Sequence, residues 1–277
     1  MNSNQSQSFN RRDGALVVAH IVFAFVALLL GGIAGLLQSV VRGGMYTLPG
    51  GIGYYQLLTA HGVLMALVFT TYFIIGFLYS GVSKTMGGEL LPLTHRLGWA
   101  GFVLMSLGTL IDVVMILLNK ASVLYTFYAP LKASPYFYIG LALVVVGSWL
   151  SGFGIFYHYM YWKKNASRQA IAAVRIYGGL HHAALANCDD RRGGRGSRSA
   201  DPLVVRLDGK KINVMLSRTL FWYFGHPLVY FWLLPAYICW YVIIPKIIGG
   251  KIFSDAWREC RSSCFCCSPF RSVFTIN

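Results

Sequence analysis

An all-α, polytopic transmembrane helix bundle is the fold class this sequence predicts, and three observations predict it. The 277 residues are 56% hydrophobic and only 12% charged, with mean hydropathy +0.56, a balance that belongs to membrane proteins and excludes an ordinary soluble enzyme. Apolar runs long enough to cross a bilayer, about 20 residues each, recur along the chain. The last of them, Arg218 to Tyr241, sets a histidine and tyrosines inside apolar sequence, where ionisable groups cost kilocalories and mark function by default.

The elements follow in order. Residues Met1 to Asp13 are polar and include Arg11 and Arg12. This is no cleavable signal peptide, whose apolar stretch would be shorter and end at small residues. Spans are expected at 14–41, 55–80, 97–118, 136–162 and 219–248. The formal charge of +15 would suggest nucleic acid in a soluble chain; here it reads as topology, and no nucleic-acid partner is expected. With the N-terminus in the cytoplasm, Lys84 and Arg96 fall on the cytoplasmic side together with Lys163, Lys164 and Arg168, while the opposite side holds fewer, Arg42, Lys120 and Lys132. Lys246 and Lys251 would then lie outside, against the rule, so one span is missing. The localisation expected is the plasma membrane of a prokaryote, multi-pass and in contact with membrane lipid.

A helix turns 100° per residue, so His226, Tyr237 and Tyr241 fall within about 40° of the line through Tyr230. One face of 219–248 carries every polar tip. The bland alternative is an interfacial tyrosine belt with a hydrogen-bonded core histidine; it fits Tyr241 better than it fits the His226/Tyr230 pair. Asp112 is the acid well inside a span, and a buried, protonated or hydrogen-bonded carboxyl is its plain reading.

Three segments carry a family resemblance: Gln56-Leu-Leu-Thr-Ala-His61-Gly-Val-Leu-Met-Ala-Leu, Tyr128-Ala-Pro-Leu-Lys-Ala-Ser-Pro-Tyr-Phe-Tyr, and Gly225-His226-Pro-Leu-Val-Tyr230. They resemble subunit I of the heme-copper oxygen reductases, the cytochrome c oxidases, and most closely the B-type branch, over most of 14–168 and 212–255. The resemblance implies a terminal oxidase that passes electrons from cytochrome c or a similar donor to O2, giving water, coupled to proton translocation and partnered by oxidase subunit II. It implies two hemes and copper as cofactors. His61 matches an axial ligand of the low-spin heme iron, a common way to hold heme, and the small residues Ala60 and Gly62 beside it leave room for a flat macrocycle. His226 matches one of three copper histidines, and Tyr230 the catalytic tyrosine bonded to that histidine. Tyr237 and Tyr241 match hydroxyls of the proton path. Leu228 stands where the A-type branch usually has glutamate, which favours the B-type branch and one main proton path. Within the superfamily the alternative is a nitric oxide reductase, which generally dispenses with the tyrosine; outside catalysis it is a membrane fragment or pseudogene product.

Two tracts depart from the family. Residues 170–211 are polar, charged and without apolar period where the family has a fifth span, and 256–277 end in a run containing Cys260, Cys264, Cys266 and Cys267. Both read as out-of-frame translation. Codons for Ala200 to Lys211, read one base later, permit Leu-Ile-Pro-Trp-Ser-Phe-Gly-Trp-Thr-Glu-Lys, and the tail, read two bases later, permits an apolar helix followed by His-His-Gln, where the family keeps adjacent copper histidines. The polypeptide as written keeps His61 and His226 but lacks the other ligands, so it is expected to be inactive. Resequencing the DNA from the codons for Lys164 to Ile212 and from Ser254 past the stop is expected to reveal an extra or missing base; confirmed bases would make this a damaged gene.

Overall fold

The structure, a computed structural model, describes residues 11–45, 52–86, 89–165 and 214–249. Both expected out-of-frame tracts, 170–211 and 256–277, lie outside the described residues. Within them the elements are α1 (Arg11–Arg42), α2 (Tyr54–Gly62), a π-helical segment (Val63–Phe69), α3 (Thr70–Thr85), α4 (Pro92–Leu117), α5 (Pro135–Asn165) and α6 (Val214–Ile248). Four stretches are long and apolar enough to cross a membrane: Arg11–Arg42, Tyr54–Lys84, Pro92–Leu117 and Pro135–Asn165. The fifth expected span falls inside α6. A helix lies over each of the five expected runs, and each helix begins before its apolar run.

Helix ends are finished by backbone geometry. After α1, Gly44 takes φ +67°, its N–H meets Val41 O at 3.2 Å and that of Met45 meets Val40 O at 3.3 Å. Glycine enters this left-handed region without a Cβ clash, and the paired bonds satisfy carbonyls that α1 would leave open. Asn119 does the same after α4 at φ 54°, with Asn119 N–H on Ile116 O and Lys120 N–H on Met115 O, both at 2.9 Å.

The tightest packing joins α4 to α5. Buried positions on α4 include Thr94, Gly98, Gly101, Met105, Gly108, Asp112 and Ile116, stepping by three and four; on α5 they include Gly140, Val144, Gly147, Ser151, Gly154 and His158 at the same alternation. This spacing keeps one stripe per helix facing its partner. Glycines let the backbones nearly touch: a Cβ on Gly101 would lie 2.6 Å from Gly147 O, and one on Gly108 2.5 Å from Gly140 O. Lipid tails are as apolar as leucine, so close approach rather than the hydrophobic effect holds such a pair. Asp112 sits in this seam with no exposed surface, neither carboxyl oxygen has a hydrogen-bond partner among the described residues, and a Cβ on Gly140 would run into its Oδ1. The buried reading of Asp112 holds.

The other helices are tied across the seams by polar side chains. Asp13, read from sequence as part of the polar N-terminus, is 2% exposed and accepts the Leu90 N–H at 2.8 Å, fastening the start of α1 to the approach to α4. Tyr79 donates to Ser151 O at 3.1 Å and Thr94 to Gly154 O at 3.0 Å. Replacing Gly147 by valine is expected to cost about 1–3 kcal/mol through overpacking, read as a lower unfolding midpoint in detergent, whereas Gly152→Val, with nothing within 4 Å, should leave it unchanged.

Candidate functional site

His61 stands in the last turn of α2, two residues before the helix widens into the π-helical segment Val63–Phe69. Such widenings are rare and frequent at functional sites. The imidazole reaches across to α1, where its Nδ1 donates to Gly31 O at 2.9 Å. That bond fixes the tautomer and turns the Nε2 lone pair away from α1. Two glycines of α1 make room: a Cβ on Gly35 would lie 2.7 Å from His61 Nδ1, and one on Gly31 2.8 Å from Met65 Cγ.

The far side of the same turn is clasped by the loop between α4 and α5. Gln56 donates from Nε2 to Ile116 O at 2.7 Å and Leu117 O at 3.2 Å, satisfying carbonyls at the end of α4. Thr59 donates to Tyr55 O at 2.7 Å and accepts the Leu124 N–H at 2.8 Å. Tyr125 covers Gly62, where a Cβ would meet its Cβ at 3.0 Å. The loop then reaches α6: Phe221 lies edge-on to Phe127 at 5.1 Å and to Tyr128 at 5.5 Å, and the Arg218 guanidinium sits 5.5 Å from the Tyr128 ring centroid. The Tyr128 motif and the His226 helix are thus joined by aromatic contact.

On α6, His226 Nε2 and Tyr230 Oη are 3.0 Å apart, with ring centroids 5.0 Å apart at 69°. The i, i+4 spacing brings them together on one face. Tyr237 lies further along and meets Trp240 edge-on at 5.7 Å; the side chain of Tyr241 lies outside those described. His61 bonds to α1 rather than to this pair. Among the described residues no three histidine, cysteine or acidic side chains gather as a metal cage.

Those residues fit the expected groups unequally. A ligating histidine almost always gives its other ring N–H to a carbonyl or carboxylate, and His61 on Gly31 O is that arrangement, which leaves the ring's lone pair on Nε2. His226 supplies one imidazole, and among the described residues it alone stands for the copper set, so His61 fits an axial heme ligand and the copper site is not completed.

Sequence reasoning passed over His20 and His158. His20 has no exposed surface; its Nδ1 meets Leu16 O at 2.8 Å, Phe102 and Tyr72 pack at 5.0 and 5.8 Å, and Nε2 has no partner among the described residues. The signal was present, since a histidine inside the first apolar span invites the same scrutiny as His226.

Comparison with known proteins agrees with this layout. The family model described as cytochrome C and quinol oxidase polypeptide I matches residues 15–266. Cytochrome c oxidase subunit 1 of Thermus thermophilus is 33% identical over 251 residues, covering 85% of this chain and 42% of that protein. Quinol oxidase subunit 1 of Sulfolobus acidocaldarius is 37% identical over 48 residues, 17% of this chain and 9% of that protein. A heme-copper terminal oxidase dimer solved by cryo-EM superposes with TM-score 0.65 at 33% identity, over 86% of this chain and 41% of that one. The chain spans less than half the length of the curated relatives it matches.

Gly35→Val should displace the His61 ring. In a full-length form of the subunit, the expected outcome is loss of low-spin heme absorbance in isolated membranes, while Gly32→Val, which meets nothing within 4 Å, keeps it.

Proposed function

Because the chain belongs to the cytochrome c and quinol oxidase polypeptide I family, the catalytic subunit of heme-copper oxidases, we propose that it derives from a terminal oxidase reducing O2 to water with electrons from cytochrome c or a similar donor, working with subunit II in the plasma membrane of a prokaryote and translocating protons. The contact between His226 Nε2 and Tyr230 Oη at 3.0 Å carries this reading. With Nε2–H donating to the phenol oxygen, Nδ1 keeps a lone pair for copper. The phenol stands where a proton and an electron can be given to oxygen. That favours oxygen over nitric oxide as substrate.

His61 would hold the low-spin heme through Nε2, its direction set by Gly31 O and by the absence of a side chain at Gly35. When bound, heme and copper supply the redox equivalents for oxygen reduction. What this chain adds is the orientation of one imidazole on α2, of another on α6, and of a phenol one turn beyond it. Tyr237, further along α6, and Tyr241 match hydroxyls of the family's proton path, and they are taken as that path here. The 277-residue polypeptide by itself, with His61 and His226 as its matching ligands, does not sustain oxygen reduction.

The expected results are separable. In the frame-restored subunit, Tyr230→Phe should lower oxygen consumption by about 10²-fold or more, the usual contribution of a positioned proton donor, with the low-spin heme spectrum intact. His61→Ala should abolish that spectrum. Oxygen consumption by the 277-residue chain alone, followed with an oxygen electrode, would contradict the proposal of inactivity.

A further inference from the structure

The turn of α2 that carries His61 is held from two sides. Successive residues turn 100°, so Thr59 lies about 160° around the helix from His61, and Gln56 about 140°. His61 reaches α1 on one side, through Nδ1 to Gly31 O at 2.9 Å. On the other side Gln56 reaches the end of α4 at Ile116 O, 2.7 Å away, and Thr59 reaches the loop that follows α4. A bond on one side alone would leave the turn free to rotate about its axis and to carry the ring with it. With side-chain tips about 5–6 Å from the axis, a rotation of about 10° moves a ring nitrogen by about 1 Å. Directly after this turn, Val63–Phe69 is π-helical, so the regular ladder that would pass on the rotation of the rest of the span is interrupted.

Thr59 has no exposed surface, and its hydroxyl both gives and takes a bond. It donates to Tyr55 O at 2.7 Å and accepts the Leu124 N–H at 2.8 Å. A threonine gains little for its helix by bonding back to the carbonyl four residues earlier; here that bond fixes the hydroxyl rotor and aims a lone pair at the loop. The loop it meets is strained. Leu124 takes φ 63° and Phe127 φ 37°, in the left-handed region where a Cβ crowds the following carbonyl, and such residues persist only where their surroundings over-determine them. Leu124 is held by Thr59. Phe127 is held between two helices, edge-on to Tyr138 of α5 at 5.7 Å and to Phe221 of α6 at 5.1 Å. Between these two points Tyr125 packs on Gly62, the residue after His61. A loop pinned in this way is a rigid stop for the turn rather than a tether.

We propose that Thr59 is a positioning residue for the heme iron: its hydroxyl locks the His61 turn against the strained loop at Leu124–Phe127 and so fixes the direction in which His61 Nε2 faces. The inference rests on the reading of His61 as an axial heme ligand. Thr59 acts through the imidazole and not on the iron itself.

Two measurements test it. On the 277-residue chain in detergent, where no heme is needed, the Leu124 amide should be protected from hydrogen exchange. Thr59→Val, which keeps the shape and removes the hydroxyl, should speed that exchange by about fivefold or more, the size of one net hydrogen bond, and Thr59→Ser should restore the protection. In a full-length form of the subunit, the highest g value of the oxidised low-spin heme, read by electron paramagnetic resonance, follows the angle between its axial ring planes. Thr59→Val should shift that value at unchanged heme content, and Thr59→Ser should return it. A Leu124 amide that exchanges alike in Thr59→Val and in the native chain overturns the lock. A native heme signal that Thr59→Val leaves in place, or that Thr59→Ser shifts as far, overturns the positioning role. A full-length subunit without low-spin heme overturns the reading of His61 and this inference together.

Discussion

Every backbone polar group within a bilayer has to find its partner inside the protein, because hydrocarbon offers none. That requirement makes the spans helical, and it leaves side-chain polarity confined to the seams between helices. The consequences are visible wherever two elements meet here. Gln56 closes carbonyls at the end of α4, Thr59 pins the following loop, and Asp13 takes a backbone N–H that would otherwise be unmatched. The polar residues of the interior are therefore less a set of decorations than the fastenings that fix helix order and depth.

Glycine is what allows those fastenings to work at such short range. Along α4 and α5 it lets two backbones come together without intervening side chains, and along α1 it opens the slot that the His61 ring occupies. The two uses differ in kind. In the first the missing side chain strengthens a helix pair through close packing; in the second it makes room for one imidazole and so decides which nitrogen faces outward. A chain with leucine at those α1 positions would remain helical and apolar and would lose the orientation.

Much of the fold was legible in the residues and their spacing. Apolar runs locate the spans, and the i, i+4 relation of His226 to Tyr230 is local enough that helical geometry alone brings them together. The helices begin before the expected limits, and α5 runs past 162, because interfacial residues such as Lys163 and Lys164 are helical too, while hydropathy registers only the hydrocarbon portion. What could not be read is pairing at a distance. His61 binds a carbonyl thirty positions earlier, a bond that depends on how α1 lies against α2, and backbone acceptors leave no trace in side-chain patterns. The fate of Asp112 was readable as burial, but its place against Gly140 depends on the relative depth of two helices.

The widened segment after His61 has one more consequence. Each i→i+5 turn consumes one residue more than an ordinary turn, so the stretch from Val63 to Phe69 rotates everything downstream relative to everything upstream. Tyr72 and Tyr79 share the interior with His20 only because of that angular offset. Deleting a single residue within the segment would restore a regular helix of nearly the same length and composition, and would swing both phenols off the face they now occupy while His61 stayed where it is. The second span therefore behaves as two independently aimed halves joined by a phase shift, one half carrying His61 toward α1 and the other packed on a buried histidine.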